Sequence, residues 1–185
     1  MKALALRLMV LIGFGCLVWL AGKTPAPAKA QTDGLISRGE YIAKIAGCIS
    51  CHTPFQAAYL NPENLSIDQI KTLTYEEQQA QDFTRLLSGG RVFPLGPAGI
   101  VISRNLTPDP VTGLGNWNDA QIETAIRSGQ RVDGRVLFPL MPYHVYNGMS
   151  DEDMTALIAY LRSISTVSNL VPTEGQISTE GFQPI

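Results

Sequence analysis

Cysteine and histidine are scarce in this chain. Its 185 residues include three cysteines, at positions 16, 48 and 51, and two histidines, at positions 52 and 144. A structural zinc site normally takes four Cys or His ligands. Beyond the neighbouring Cys48, Cys51 and His52, only His144 could complete such a set, so a zinc site is a poor fit.

Basic side chains are also too few for a nucleic-acid-binding protein. The chain has 14 Lys and Arg against 16 Asp and Glu. Four of the basic residues lie within residues 1–30, which contain no acid, so 10 basic side chains face 16 acidic ones in the remainder. Because phosphate binding needs a basic surface, nucleic acid is excluded as a partner.

The chain begins with an export signal or an anchor. Lys2 and Arg7 precede an uncharged apolar run over residues 8–20, which is short of the roughly 20 residues that a spanning helix needs. Ala28-Lys29-Ala30 ends in the small-x-small pattern of a cleavage site. We therefore expect residues 1–30 to be a signal peptide or, with Arg7 snorkelling, an N-terminal membrane anchor. In both cases the folded part would lie in the periplasm or on the outer face of the cytoplasmic membrane.

The other two cysteines stand in Cys48-Ile49-Ser50-Cys51-His52, which matches the c-type haem attachment motif. Thiols about one helical turn apart can each bond one vinyl group of a porphyrin, and the next residue then places its imidazole under the iron. A thioredoxin-like redox pair would be expected near a βαβ pattern, which residues 35–60 do not show. In an oxidising compartment two unused neighbouring thiols would tend to pair. We therefore predict one covalently attached haem c with His52 as its proximal ligand.

The second axial ligand has two candidates, Met141 and His144. Met141 lies in a segment, residues 138–143, that Pro139 and Pro142 hold out of a helix, so it can present a thioether to iron without a large ordering cost. The other two methionines after the motif fit helix packing better. A His/His centre would have the lower potential, because a thioether ligand raises it. The sequence favours Met141, with His144 as the competitor.

Three helices are predicted. The first covers residues 37–46, ends at Gly47 and buries Ile42, Ile45 and Ala46, with Gly39 allowing close approach of the last helix at Tyr160 or Leu161. The second begins at an Asn118 cap with Gln121, buries Ile122, Ala125 and Ile126, and ends at Gly129. The third covers residues 150–164, with a Ser150 cap and a buried stripe of Met154, Leu157, Ile158 and Leu161.

The remaining segments complete the predicted organisation. Residues 31–36 are a linker, residues 37–164 one domain and residues 165–185 an extended tail. Within the domain, residues 56–88 are predicted as a helical insertion, with a capping box at residues 74–77, and residues 91–115 as loops with a brief hairpin. The fold class is thus an all-α helical domain with irregular loops around one covalent haem.

Several segments carry a family resemblance. They are Arg38-Gly39-Glu40-Tyr41, Cys48-Ile49-Ser50-Cys51-His52-Thr53, Ser103-Arg104-Asn105-Leu106-Thr107-Pro108-Asp109, Thr112-Gly113-Leu114-Gly115-Asn116-Trp117, Met141-Pro142-Tyr143 and Leu157-Ile158-Ala159-Tyr160-Leu161-Arg162. With them the chain resembles class I cytochromes c, and most of all the cytochrome c subunits of membrane-bound dehydrogenases for alcohols, aldehydes and gluconate. The resemblance implies a cytochrome c fold, thioether bonds at Cys48 and Cys51, and iron ligation by His52 and Met141. Those subunits typically carry three such domains, whereas this chain has one haem motif.

The expected function is electron transfer without catalysis. An iron with both axial positions filled leaves no place for a substrate, so the protein would pass single electrons between redox partner proteins, such as a membrane dehydrogenase or a terminal oxidase chain. Two alternatives stay open. If Met141 is easily displaced, the protein could be a gas sensor or peroxidase-like; or it could be a docking subunit that binds a membrane dehydrogenase through residues 56–88.

Overall fold

The computed structural model describes residues 28–55, 81–95 and 99–171. These residues form helices α1 (Ala28–Ile45), α2 (Cys48–His52), α3 (Asp119–Ser128), α4 (Tyr143–Tyr146) and α5 (Asp151–Ser163), a 3-10 turn (Phe83–Arg85), and strands β1 (Val92–Pro94) and β2 (Ile100–Ile102). The chain divides into two units after residue 32, and of the first only residues 28–32, the start of α1, are described. No helix among the described residues is long and apolar enough to cross a bilayer.

Helix α1 differs from its prediction at its start and in its buried face. It begins at Ala28, so residues 31–36, which were expected to be a linker, are helical. The prolines that suggested a linker all precede residue 28, where they cannot interrupt the helix. Ile45, expected to be buried, is 66% exposed, whereas Ala43 is fully buried beside Ile42. The buried stripe therefore runs along Gly39, Ile42 and Ala43, at helical spacing.

Helices α1 and α5 cross where Gly39 lies. A Cβ atom built on Gly39 would lie 1.9 Å from the carbonyl oxygen of Ala156 and 2.7 Å from the Cβ of Tyr160. Only a residue without a side chain allows the two backbones to approach this closely. Beside the crossing, a guanidinium nitrogen of Arg38 lies 2.5 Å from a carboxylate oxygen of Asp153. The predicted close approach at Gly39 is confirmed.

Helices α3 and α5 have the predicted caps and buried faces. The Asn118 side chain accepts from the backbone N–H of Gln121 at 2.9 Å, while the Gln121 side chain accepts from the backbone N–H of Asn118 at 2.8 Å. Gly129 ends α3 with a left-handed φ of 73°. Ser150 caps α5 by accepting from the backbone N–H of Asp153 at 3.1 Å. The predicted stripes of both helices are buried, and α3 contacts both α4 and α5.

The loops before α3 include a small sheet, so the described fold is helical without being all-α. Strands β1 and β2 pair antiparallel with Val92 opposite Ile102, which is the brief hairpin that the sequence predicted. The prediction of a helical insertion over residues 56–88 is wrong for residues 81–88. This stretch has only the 3-10 turn, and Leu87 is fully buried with a left-handed φ of 59°. The capping box at residues 74–77 lies outside the described residues.

The first part of the tail, residues 165–171, has no helix or strand and lies against the loop that precedes α3. The carbonyl of Val167 accepts from the Asn105 side chain at 2.8 Å and from the Thr107 hydroxyl at 3.1 Å. The amide side chain of Asn169 donates to the carbonyl of Ser88 at 2.9 Å. These bonds fix the tail as a structural part of the domain, while residues 172–185 lie outside the described residues.

Candidate haem site

A cleft of about 1200 Å³ brings the predicted site residues together. Cys48, Cys51, His52 and Met141 all line it. Its volume exceeds the roughly 300–1,000 Å³ of ordinary small-molecule pockets. Much of the remaining wall is apolar and includes Leu106, Leu114, Ile122, Ile126, Leu157 and Leu161. His144, the competing candidate, is exposed at the surface and is not part of this wall.

His52 is held in the orientation that a metal ligand needs. Its side chain is only 8% exposed, and its Nδ1 lies 2.7 Å from the carbonyl oxygen of Arg104. A carbonyl can only accept, so Nδ1 carries the proton and Nε2 keeps its lone pair. Burial lowers the pKa of the imidazole, and the bond to the Arg104 carbonyl opposes part of that shift. The neutral ring, with its other nitrogen bonded to a carbonyl, matches the usual arrangement of metal-bound histidines.

The two thiols are free and sit on the single turn of α2. Gly47, with a left-handed φ of 77°, ends α1 and starts this turn, and its carbonyl accepts from the backbone N–H of Cys51 at 2.9 Å. Cys48 is buried, and burial raises the pKa of its thiol to about 11. Because one turn separates the two sulfurs and both line the cleft, they can reach two points along the edge of one flat ligand.

Met141 lies on a short segment that its neighbours fix. The backbone N–H of Met141 donates to the carbonyl of Phe138 at 3.0 Å, and the carbonyl of Met141 accepts from the N–H of Tyr143 at 2.8 Å. Tyr143 is almost fully buried against Gly129, at the end of α3. The hydroxyl of Tyr146 donates to the carbonyl of Ala46, two residues before Cys48. This bond joins the Met141 side of the cleft to the haem motif.

Arg127 fixes the chain that follows Met141. From α3, its guanidinium donates to the carbonyl of Met149 at 2.6 Å and to that of Asn147 at 3.1 Å. It also pairs with the carboxylates of Glu123 and Asp151, at 2.7 and 2.9 Å. One arginine thus ties the segment between α4 and α5 to α3.

A cationic corner completes the cleft. It consists of Arg104, Arg131 and Arg135, all of which line the cleft, and of Asp133, which pairs with Arg131 at 3.2 Å and with Arg135 at 2.6 Å. Burial and, after it, the nearby charges of Arg131 and Arg135 lower the pKa of Arg104 to about 10, against the opposing charge of Asp133. In the described part of the chain, Arg131 and Arg135 share the single carboxylate of Asp133, and this pair of cations suits an anionic ligand group.

The residues of this cleft fit a c-type haem. An apolar wall takes a porphyrin face, the cationic corner suits the two propionate carboxylates, and a pair of thiols beside an oriented imidazole suits covalent attachment and ligation. The sequence did not predict the cationic corner, the carbonyl of Arg104 or the hydroxyl of Tyr146. Arg104 could have been suspected, because it lies within one of the segments that carried the resemblance.

A helical domain folded around a haem-sized cleft, with a Cys-x-x-Cys-His segment in its wall, is a haem-attaching domain. The cytochrome c family model matches residues 36–165. The chain belongs to the cytochrome c family.

Its relatives include cytochrome subunits of several dehydrogenases. The chain is 34% identical over 137 residues to the fructose dehydrogenase cytochrome subunit of Gluconobacter japonicus, covering 74% of this chain and 22% of that protein. It is 33% identical over 135 residues to the alcohol dehydrogenase (quinone) cytochrome c subunit of Gluconobacter oxydans, covering 73% and 22%. It is 32% identical over 133 residues to the gluconate 2-dehydrogenase cytochrome c subunit of Pantoea cypripedii, covering 69% of this chain and 23% of that protein.

These similarities confirm the resemblance to dehydrogenase cytochrome subunits that the sequence segments indicated. The matched part of the chain spans 22–27% of the length of these alcohol, fructose and gluconate dehydrogenase cytochrome subunits. The similarity therefore covers one cytochrome c domain of longer proteins.

Proposed function

We propose that this protein is a monohaem c-type cytochrome, which carries one electron at a time between exported or membrane-bound redox partners. The observation that carries the proposal is the position of His52. Its buried ring is oriented by the Arg104 carbonyl on the wall of an apolar cleft, directly after two free thiols. Membership of the cytochrome c family supports the same function.

The chain's own residues would have four tasks. Cys48 and Cys51 would hold the haem covalently, and His52 Nε2 and the Met141 thioether would be the ligands of its iron. The cationic corner would bind the propionates, and the apolar wall would exclude water. Haem, once bound, supplies a reversible one-electron couple between ferric and ferrous iron. With both residues bound to the iron, no substrate would reach the metal, and we therefore expect an electron carrier that is not itself an enzyme.

The partner we propose is a membrane-bound dehydrogenase on the outer face of the cytoplasmic membrane. The relatives named above are subunits of dehydrogenases for alcohol, fructose and gluconate. Residues 1–30 would export the domain and, if uncleaved, anchor it.

A second candidate is a docking subunit that binds the dehydrogenase through residues 56–88. In its favour, Phe55 and Gln81, which flank residues 56–80 on either side, form an antiparallel bridge. The Gln81 side chain donates to the carbonyls of Ile49 and Ser50, so this bridge lies beside the haem motif. If docking is the role, deleting residues 56–80 should abolish complex formation while leaving haem attachment intact; a complex that survives the deletion rules it out.

The test of the main proposal is covalent haem with a reversible couple. The protein, matured in an exporting host with haem-attachment machinery, should keep its haem after denaturation and acid extraction, and it should titrate with a one-electron Nernst slope. Replacing both Cys48 and Cys51 by Ala should make all haem extractable. Cys16→Ala is the matched control and should keep it. A wild-type protein that releases its haem on extraction would refute the proposal.

A further inference from the structure

Arg91 has a fixed position beside the haem motif. Its backbone N–H donates to the hydroxyl of Ser103 at 3.0 Å, and its carbonyl accepts from the backbone N–H of Ser103 at 3.0 Å. These two bonds join Arg91, the residue before β1, to Ser103, the residue after β2. The backbone of Arg91 is therefore held at the end of the hairpin.

Two aromatic rings and one carbonyl hold its guanidinium. The Cζ atom of Arg91 lies 4.6 Å from the ring centre of Phe55 and 5.2 Å from that of Phe93, which lines the cleft. A cation over an aromatic face is attracted by the ring quadrupole. One guanidinium nitrogen also donates to the carbonyl of Ser50, which directly precedes Cys51 in the haem motif. The charge is thus held against the haem attachment segment itself.

Among the residues that the structure describes, no acid neutralises this charge. Within the described residues Arg91 forms no ion pair with a carboxylate, whereas Arg131 and Arg135 share Asp133. Arg91 is half-buried; burial lowers the pKa of its guanidinium, and the nearby sulfur of Cys51 opposes that shift. An arginine nevertheless stays protonated in proteins. A full positive charge therefore stands beside α2 where water screens it only in part.

We propose that Arg91 is an electrostatic tuning residue, which raises the reduction potential of the haem held by Cys48, Cys51 and His52. This inference rests on the proposed function. Reduction removes one positive charge from the site, so a fixed cation next to it favours the reduced state. Because Phe55, Phe93 and the Ser50 carbonyl hold the guanidinium in place, its effect does not depend on a mobile side chain.

Two neutral variants test the charge separately from the contacts. Arg91→Met keeps an unbranched apolar stem against the two rings, and Arg91→Gln keeps a donor for the Ser50 carbonyl. At a fixed ambient potential, both variants should lower the ratio of reduced to oxidised protein by about threefold or more. This figure takes into account that solvent partly screens the interaction between the Arg91 charge and the haem. Arg91→Lys keeps the charge and should stay close to wild type. Lys44→Gln, an exposed cation one turn before the motif, is the matched control and should leave the ratio unchanged.

The readout is the midpoint potential of covalently loaded protein, with haem content and unfolding by urea measured alongside. If Arg91 had only a structural role, all three variants would be less stable, and the midpoint potential of Arg91→Lys would not differ from those of Arg91→Met and Arg91→Gln. If both neutral variants hold covalent haem at the wild-type potential, the inference is wrong and the proposed function stands. If Arg91→Lys falls as far as the neutral variants, contact geometry and not charge is responsible. If the wild type itself holds no covalent haem, the proposed function has failed, and the inference with it.

Discussion

His52 and Met141 line the same cleft but are held in different ways. The His52 ring itself is bonded to the carbonyl of Arg104, and its backbone carbonyl accepts from the N–H of Gly89 at 2.7 Å. The Met141 segment is fixed through its backbone and through the burial of Tyr143. A thioether is only a weak acceptor, so its direction depends on the loop that carries it.

The difference predicts which ligand would be permanent. On the His52 side, local motion of the chain must break a hydrogen bond to the ring before the imidazole can turn. On the Met141 side, the segment between α3 and α5 can shift as a whole once Tyr143 or the contacts of Arg127 loosen. We therefore expect the Met141 side of the cleft to open first, and the predictions below test this asymmetry.

The largest effect is expected for Met141→Ala. Covalent haem should remain, but the midpoint potential should fall on the order of 0.1 V or more, because axial ligands set haem potentials over a range of about 0.8 V. Reduced protein should now bind carbon monoxide, which is followed as a shift in its optical spectrum, whereas the wild type should not.

Met149→Leu is the control for Met141→Ala, since Met149 also lines the cleft and its replacement keeps the apolar volume. It should leave the potential and the carbon monoxide response as in the wild type. If Met141→Ala changes neither property, another residue is the ligand. Ready binding of carbon monoxide by the wild type would instead favour the gas-sensor or peroxidase-like alternative.

A smaller effect is expected for Gly129→Ala, which loosens the support of Met141. Gly129 has a φ of 73°, and a Cβ atom there would lie 2.7 Å from the ring carbon Cδ1 of buried Tyr143. The left-handed backbone costs about 1–2 kcal/mol with a side chain, and forcing a methyl group against a packed ring costs about 1–3 kcal/mol more. Urea unfolding should show this loss, and the reduced protein should bind carbon monoxide although Met141 is present.

Gly134→Ala separates the cost of the left-handed backbone from the cost of the contact with Tyr143. Gly134 has a similar φ of 80°, but nothing lies within 4 Å of the position of its Cβ atom. It should therefore lose only the backbone part of the stability and should bind no carbon monoxide. If both variants respond alike, the contact with Tyr143 does not support the Met141 segment.

The sequence predicted those parts of the molecule whose chemistry is local. The caps at Asn118 and Ser150 and the end of α3 at Gly129 follow from neighbouring residues, and the structure has each of them. The crossing at Gly39 was also predictable, because a glycine inside a helix needs a packing reason. The buried stripes of α3 and α5 follow from helical spacing in the same way.

The remaining features depend on contacts between distant parts of the chain. The partner of His52 is a backbone carbonyl, which any residue at position 104 could offer, so no side chain signals it. Leu87 takes a left-handed conformation that its residue type disfavours, in a turn whose backbone N–H bonds to the Thr53 hydroxyl. Ile45 has the hydrophobicity of a core residue but is 66% exposed. Such positions are set by tertiary contacts, which periodicity cannot reveal.

The smallest effect is expected for Asp133→Asn, in the turn that leads from α3 toward Met141. Burial raises the pKa of the Asp133 carboxyl, but the hydrogen bonds from Arg135 and Arg131 lower it more, so the folded value lies below the ordinary one. The ionised pair therefore stabilises the fold above the unfolded pKa of about 3.9, and this stability is lost as pH falls below it. Because the side chain is 34% exposed, we expect only about 0.5–1 kcal/mol at pH 7.

Urea unfolding of wild type and Asp133→Asn between pH 7 and pH 3 measures this contribution. The variant should be less stable at pH 7, and the difference should shrink toward pH 3, where the Asp133 carboxyl of the unfolded wild-type protein takes up a proton. An offset between wild type and Asp133→Asn that stays constant over this range would contradict the assignment. Convergence would show that acid weakens the turn leading to Met141, whereas the bond from His52 to the Arg104 carbonyl has an acceptor that does not titrate.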